Sequence, residues 1–478
     1  AFIEKDPGEN GEGKTVGFVC DPELSGECGY SSEYLMDIVF AANDAYPKQW
    51  IEDENGDTKI YALWDQTIKG SPPKPFLNGN LYTKEEINKV LHSESGRYDF
   101  RSRDRSGHGT HVASICAGTN GVAPEAELIV VKLGDTREKG FPRTTQLMTA
   151  LQYVINEASQ AGRPVAVNIS YGHNYGDHRG NSLLERFISQ IAQQWKCTIC
   201  IGTGNEGNSG RHKQGKLIKE EQKILLDVAP FEQNLNLQIW KDFVDELRIQ
   251  LVSPSGISYE ITDQQGKSQY SYGDTIVFVY NGYPTPYNVR QEIFLSFIVQ
   301  DGDHIESGQW DLTLIPRNIR NGEYQMWLPV SSGNNQETRF LEPDKEFTLT
   351  IPSTAENVIS AGAYDVRYQS YADFSGRGDQ RYGVKKPDLV APGVGILAAA
   401  PGGGENSLSG TSMATPFVTG AAALLMEWGI IRNNDPYLYG ERIKAYFHKG
   451  ARKMNGFLDY PNNEIGYGKL CVAASLYK

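Results

Sequence analysis

Ser407-Leu-Ser-Gly-Thr-Ser-Met-Ala-Thr-Pro-Phe-Val-Thr-Gly-Ala-Ala-Ala-Leu-Leu-Met-Glu-Trp428 opens polar, then turns apolar on every face for more than three turns. A helix that is apolar all round must be buried. Gly420, Ala421, Ala422 and Ala423 let neighbours pack close to it. Pro416 has no N–H to donate and is expected in a first turn, so the spacing predicts a helix starting near Thr411–Met413. Ser412 then stands at the positive end of a buried helix. There a serine can act as a nucleophile whose oxyanion is held by helix-end N–H groups. Taken alone, Gly-Thr-Ser reads as a helix N-cap. The nucleophile reading needs a base and an oxyanion donor from elsewhere in the chain.

Working outward, the chain upstream alternates strands and helices. Thr15–Cys20 is a short apolar run ending at Asp21-Pro22, and Ile60–Trp64 reads as a strand. Thr83-Lys84-Glu85-Glu86 is a capping box opening a helix to about Leu91. A helix is predicted from His108 to the stop at Gly118, a strand over Glu127–Leu133 and a helix over Thr145–Ser159. Val165–Ser170 follows as a strand, Leu183–Trp195 as a helix and Cys197–Ile201 as a strand. Near-continuous apolar strands separated by helices predict a mainly parallel sheet covered on both faces, with ligands at the C-terminal strand ends. Past Ser209 the helical period disappears. Leu247–Val252, Thr275–Tyr280, Ile293–Val299, Trp310–Ile315, Tyr324–Leu328 and Phe347–Ile351 are β-rich runs separated by turn residues. They predict an inserted all-β, jelly-roll-like domain. The expected organisation is an α/β first part over 1–209, the insertion over 210–350 and an α/β second part over 351–478.

The chain of 478 residues is 39% hydrophobic and 22% charged, the balance of a globular protein with a sizeable core. Its formal charge of −13 argues against nucleic acid as a partner, and no apolar run reaches the roughly 20 residues of a membrane span. The opening residues carry no basic segment and no apolar core, so no signal peptide is expected in them. Six scattered cysteines do not make a disulfide scaffold, and Cys197 and Cys200 read as buried strand thiols.

The base that Ser412 needs is found in Gly107-His108-Gly109, a Gly-bounded histidine at a helix start; His111, three residues on, reads as structural. The donor is found in Gly202-Thr203-Gly204-Asn205-Glu206-Gly207, a Gly-rich strand exit able to aim an amide at a developing oxyanion. These segments resemble the subtilisin-like serine peptidases, the subtilases. Gly107–Ser114, Gly202–Gly207 and Gly410–Pro416 match in order, as do Asn168–Gly172, Phe374–Gly378 and Asp388–Gly393. Ala62–Thr67 and Tyr82–Asn88 are similar to the clostridial Csp germination-protease branch. The resemblance implies a three-layer α/β fold and peptide-bond hydrolysis in protein or peptide substrates. It assigns Ser412 as nucleophile, His108 as general base then acid, and Asn205 as oxyanion donor. It also implies a substrate strand along Ser170-Tyr171-Gly172 and Gly202-Thr203-Gly204. No cofactor is required for the chemistry. Structural calcium and a propeptide partner are family expectations, as is an extracellular or spore-associated setting in a bacterium.

One place departs from the family pattern. Counting from Gly11 and Gly13 puts Cys20 where the family carries its aspartate, with Asp21 one step later. A one-residue slip turns a strand side chain to the opposite face. Asp21 is the first candidate for the third triad member, with Asp37 and Asp44 as rivals. Without a functional aspartate the chain would read as a degenerate subtilase that binds or regulates rather than cleaves.

Overall fold

A computed structural model of the chain describes residues 56–93, 100–134, 143–262, 266–379, 381 and 385–476. The first strands are β1 (Ile60–Asp65) and β2 (Asn80–Thr83), followed by helix α1 (Lys84–Leu91). Thr83 caps α1, and Glu86 reaches back to the Thr83 N–H at 2.9 Å, completing the capping box. Then come α2 (His108–Ala117), β3 (Leu128–Lys132), α3 (Thr144–Gln160), β4 (Val165–Ile169), α4 (Leu183–Ile191) and β5 (Cys197–Gly202). The predicted Leu183–Trp195 helix stops earlier, where the amide of Ala192 closes the last turn on Ile188.

The described residues of 212–340 form eleven strands in two antiparallel sheets. They are β6 (His212–Lys216), β7 (Gln222–Val228), β8 (Asn234–Asp242), β9 (Glu246–Val252), β10 (Ser258–Thr262) and β11 (Gly266–Tyr272), then β12 (Thr275–Asn281), β13 (Arg290–Val299), β14 (Gly308–Asn318), β15 (Glu323–Trp327) and β16 (Arg339–Phe340). One sheet runs β10-β9-β14-β7-β16 and the other β11-β12-β13-β8-β15-β6. Alternation along β8 and β9 turns Leu235, Leu237 and Ile239 toward Ile249 and Leu251 in one apolar core.

The chain then returns with β17 (Ile359–Asp365), β18 (Ser370–Tyr371), β19 (Leu389–Pro392) and the hairpin β20 (Ile396–Ala399)–β21 (Glu405–Leu408). Helix α5 (Thr411–Met426), α6 (Glu441–Gly450) and α7 (Val472–Ser475) close it. Strands β4, β5, β17 and β19 pair in parallel, and β1 pairs in parallel with β3. The alternation of β5 defines three layers. Ile199 and Ile201 pack with Leu151 and Val154 of α3 and Ile188 of α4, whereas Cys200 packs with Val418 and Ala421 of α5. Cys197 and Cys200 accordingly lie in different clusters on opposite faces as buried free thiols, and burial pushes Cys200 up to about 12.

Helix α5 begins at Thr411, as the spacing predicts, but Pro416 is its sixth residue and stands in the second turn. The carbonyl that Pro416 cannot serve is that of Ser412, four residues earlier. Ser170 Oγ donates to it instead, at 3.2 Å. With the irregular turn that follows, Thr411–Ile431 is 21 residues long and apolar enough by composition to cross a membrane, which the sequence reading did not anticipate. In the fold it is a core helix, packed on β4, β5, β17 and β19.

Phe347–Ile351, predicted as a strand, is not one. Its amides go to Gly378, Arg377, Thr203 and His173 in turn, and Phe347 has a positive φ of 61°. A strand needs one partner in register; this segment has several, each in a different part of the fold.

Close approach of α5 to the end of α2 rests on Gly420. A carbon added there would lie 2.6 Å from Val122 Cβ and 3.1 Å from the Cys116 carbonyl. Alanine normally gains about 1 kcal/mol over glycine inside a helix. Gly420→Ala is expected to reverse that sign and destabilise by about 1–3 kcal/mol through overpacking. Chemical denaturation midpoints check the sign.

Candidate active site

Ser412 is the second residue of α5 and is half-buried. The Thr411 N–H donates to Asn205 Oδ1 at 3.0 Å. The Thr411 hydroxyl donates to the same oxygen at 3.2 Å and accepts from the Gly204 N–H at 3.1 Å. A backbone N–H can donate only to the oxygen of the amide, so Asn205 is fixed with its NH2 turned away from the helix. Asn205 is exposed. The next helix amide, that of Ser412, has no hydrogen-bond partner among the described residues. Two donors, one backbone and one side-chain, therefore stand at the start of α5 without internal acceptors. Anions are favoured at such an end.

From the other side Ser412 is braced from the end of β4. Ser170 Oγ accepts from Asn168 Nδ2 at 2.9 Å and donates to the Ser412 carbonyl, and Asn168 Oδ1 accepts from Thr419 Oγ1 about two turns further along α5. This chain of bonds connects the end of β4 to two turns of the helix.

His108 is the first residue of α2, and Gly107 precedes it with φ 75°. A carbon added to Gly107 would fall 2.9 Å from Pro401 Cδ, at the tip of the β20–β21 hairpin that leads into α5. His111 Nε2 lies 3.0 Å from the carbonyls of both Ile396 and Asn406, so it fastens the same hairpin and is structural as predicted. Asp104 organises the start of α2. Its Oδ1 accepts from Ser106 Oγ and Gly107 N, and its Oδ2 from Thr110 N and Thr110 Oγ1. His108 Nδ1 is buried and has no hydrogen-bond partner among the described residues. Burial pulls His108 down to about 4; the Asp104 carboxylate opposes this and His111 adds to it. The ring is neutral at pH 7, the form a general base requires.

The predicted substrate segments divide. Gly202 and Gly204 lie directly against α5, a carbon on Gly202 meeting Thr415 Oγ1 at 2.9 Å. The side chains of Ser170, Tyr171 and Thr203 are buried, Thr203 Oγ1 facing Ser375 Oγ at 3.3 Å, so these residues offer a substrate their backbone only. Gly172 packs on Thr350. Asp21, Asp37 and Asp44 lie outside the described residues. The sequence reading missed Thr411, Asp104 and Thr350. Asp104 had a local signal, an acidic residue ahead of a helix start; Thr350 had none. Among the described residues no group of three or more His, Cys, Asp and Glu is placed to hold a metal.

Among the described residues β3 pairs only with β1, and β4 only with β5. A cavity of about 610 Å³ lies between them, lined by Leu128 and Ile129 of β3, Val165 and Ala166 of β4, Val154 of α3 and Ala423 of α5. Its walls include both helical layers, so it passes through the plane of the sheet.

Comparison with known proteins bears on this geometry. The sequence pattern described as "Subtilase family" matches residues 57–224 and 303–468. The solved structure of the Clostridium perfringens CspB protease is similar at 36% identity and a TM-score of 0.83, over 96% of this chain and 95% of that one. The serine protease AprX of Bacillus subtilis is 33% identical over 144 residues, 26% of this chain and 30% of that protein. Subtilisin-like protease 1 of Trichophyton equinum is 42% identical over 106 residues, 22% of this chain and 18% of that protein. The chain thus aligns with less than a third of the length of these two curated relatives.

Removing the Asp104 charge separates its two effects. Asp104→Ala is expected to cost about 1–2 kcal/mol through loss of the cap, and Asp104→Asn less. Both should lower the His108 pKa further, because the carboxylate favours imidazolium. Unfolding curves and NMR titration of the His108 ring check this.

Proposed function

This chain belongs to the subtilase family of subtilisin-like serine proteases, and from that premise we propose that it is a serine endopeptidase cleaving peptide bonds in protein substrates. The observation that carries the proposal is the bond from the Thr411 N–H to Asn205 Oδ1. It leaves the Asn205 NH2 and the Ser412 N–H as a donor pair beside the Ser412 hydroxyl. In the proposed reaction the substrate lies as an added strand along Ser170–Gly172. Ser412 Oγ attacks the scissile carbonyl while His108 takes its proton. The donor pair holds the oxyanion, and His108 returns the proton to the leaving amine. Water then repeats the sequence on the acyl-enzyme and frees Ser412.

Asp21 is the proposed carboxylate for His108 Nδ1. Support comes from that nitrogen's lack of a partner among the described residues and from the place of Asp21 at the end of the apolar run Thr15–Cys20 in the sequence. The two-sheet body of residues 212–340 is proposed to be the jelly-roll-like insertion expected over 210–350. It supports the cleft wall through Gln238, which accepts from the Gly176 N–H at 2.9 Å and donates to the Asn174 carbonyl at 2.8 Å. Trp327 adds to this junction, stacked between His178 and His212 at ring distances of 4.1 and 5.1 Å.

A fluorophosphonate probe is expected to label Ser412 in folded protein, with labelling lost in His108→Ala. Absence of an adduct in the unaltered chain would leave a binding protein on a degenerate site. Asn205→Ala should lower kcat by about 10²–10³. Asp21→Asn should lower it by ~10⁴ while Asp37→Asn and Asp44→Asn change little; the opposite pattern would move the triad aspartate elsewhere.

A further inference from the structure

Ile293, Leu295 and Phe297 of β13 point into the core of the two-sheet body, so Glu292 and Phe294 stand on the outer face of the six-stranded sheet. Glu292 is paired across to Trp240 of β8 on one side. On the other side Gly282 leaves a notch: a carbon added there would lie 3.6 Å from the Tyr280 ring and 4.0 Å from Glu292 Cβ. The Glu292 carboxylate has no hydrogen bond and no ion pair among the described residues, and it is not sealed from solvent. Arg290, two residues earlier, is committed elsewhere, donating to the Trp240 carbonyl at 2.9 Å and lying 3.7 Å from Asp242. Burial pushes the Glu292 carboxyl up to about 7, and no cation among the described residues opposes it. A half-buried carboxylate is ordinarily paired; this one is flanked by two aromatic side chains instead.

This face continues from the cleft wall. Tyr171, His173 and Tyr175 follow one another at ring distances of 5.9 and 5.9 Å, and Tyr175 lies 6.4 Å from Phe294. Tyr175 OH accepts from Asn236 and the Gly176 N–H donates to Gln238, so the wall comes down on β8 beside Trp240. Each ring-to-ring step spans about two residues of an extended chain, which rises ~3.3 Å per residue. We propose that Glu292, with Trp240 and Tyr280, binds a basic side chain of the protein substrate about six to eight residues from the scissile bond. This rests on the peptidase reading, which supplies the partner; the unpaired charge and the aromatic faces supply the residue type. A guanidinium meets a carboxylate through two parallel bonds and stacks on aromatic rings, so arginine is preferred to lysine. The formal charge of −13 draws basic segments toward the surface.

The test uses the full chain. Casein is digested, and one cut bond is rebuilt in synthetic peptides carrying arginine, or its uncharged isostere citrulline, at each of those distances on either side. Rates are normalised to the fraction of Ser412 that takes a fluorophosphonate probe. At one position the unaltered protein is expected to cut the arginine peptide with a KM about tenfold lower and an equal kcat, because a remote contact is made alike in ground and transition states. Glu292→Gln, which keeps the shape and removes the charge, should cut the two peptides alike. Tyr280→Leu, a change at an exposed position, should shrink the difference to about two- to fivefold. Equal KM for arginine and citrulline at every position, or a difference that survives Glu292→Gln, with Ser412 labelled, would overturn the proposal alone. No labelling and no cleavage in the unaltered chain would overturn the peptidase reading and the assignment of this partner with it.

Discussion

A single hydrogen bond, from the Thr411 N–H to Asn205 Oδ1, decides what the start of α5 can do. It joins two parts of the chain separated by the whole two-sheet body of residues 212–340. Because a backbone N–H must find an oxygen, the bond fixes the orientation of the Asn205 amide without further contacts. It also uses up the first amide of the helix and leaves the second, that of Ser412, as the nearest uncommitted donor. Thr411 completes the arrangement by passing a bond from Gly204 N–H through its hydroxyl to the same oxygen. The exit of β5 and the entry of α5 are therefore one rigid unit, and preorganised donors of this kind need no rearrangement as charge develops.

That unit requires α5 to stand close to its neighbours, which explains the run of small residues. At Gly420 the helix meets Val122 and the Cys116 carbonyl with no room for a methyl group. Pro416 would ordinarily weaken such a helix, because a second-turn proline leaves a carbonyl without its donor. Here the orphaned carbonyl belongs to Ser412, and Ser170 supplies the donor from the end of β4. The apparent defect thus becomes a tether on the residue whose position matters most. Asn168 extends the tether to Thr419, so the Ser412 backbone is held from the strand side as well as from the helix side.

The features legible in the sequence were those with a local cause. All-round apolarity announced a buried helix, Thr83 and Glu86 announced a capped one, and Gly-bounded His108 marked a helix start. Pro416 was misjudged because the first-turn rule counts only the helix's own bonds, and a hydroxyl from β4 cannot be inferred from residues 411–426. Phe347–Ile351 has strand composition, yet its partners are scattered through the fold, and no periodicity encodes that. Thr350 was invisible for the same reason: Gly172 and Gly204 lie more than a hundred residues away in the sequence. The buried state of Ser170, Tyr171 and Thr203 likewise follows from neighbours supplied by other segments.

The electrostatics of His108 constrain the remaining member of the site. Burial, opposed by Asp104 and aided by His111, holds the ring down at about 4, and a base is most effective when its pKa lies near the working pH. A carboxylate on Nδ1 would raise it and would also satisfy a buried nitrogen that now has no partner among the described residues. Asp104 is close enough to be felt, but each of its oxygens already accepts two hydrogen bonds in capping α2. A carboxylate has about four such acceptor sites, so Asp104 has none left for the ring. An orienting carboxylate for His108, proposed above as Asp21, therefore has to be supplied by another segment of the chain.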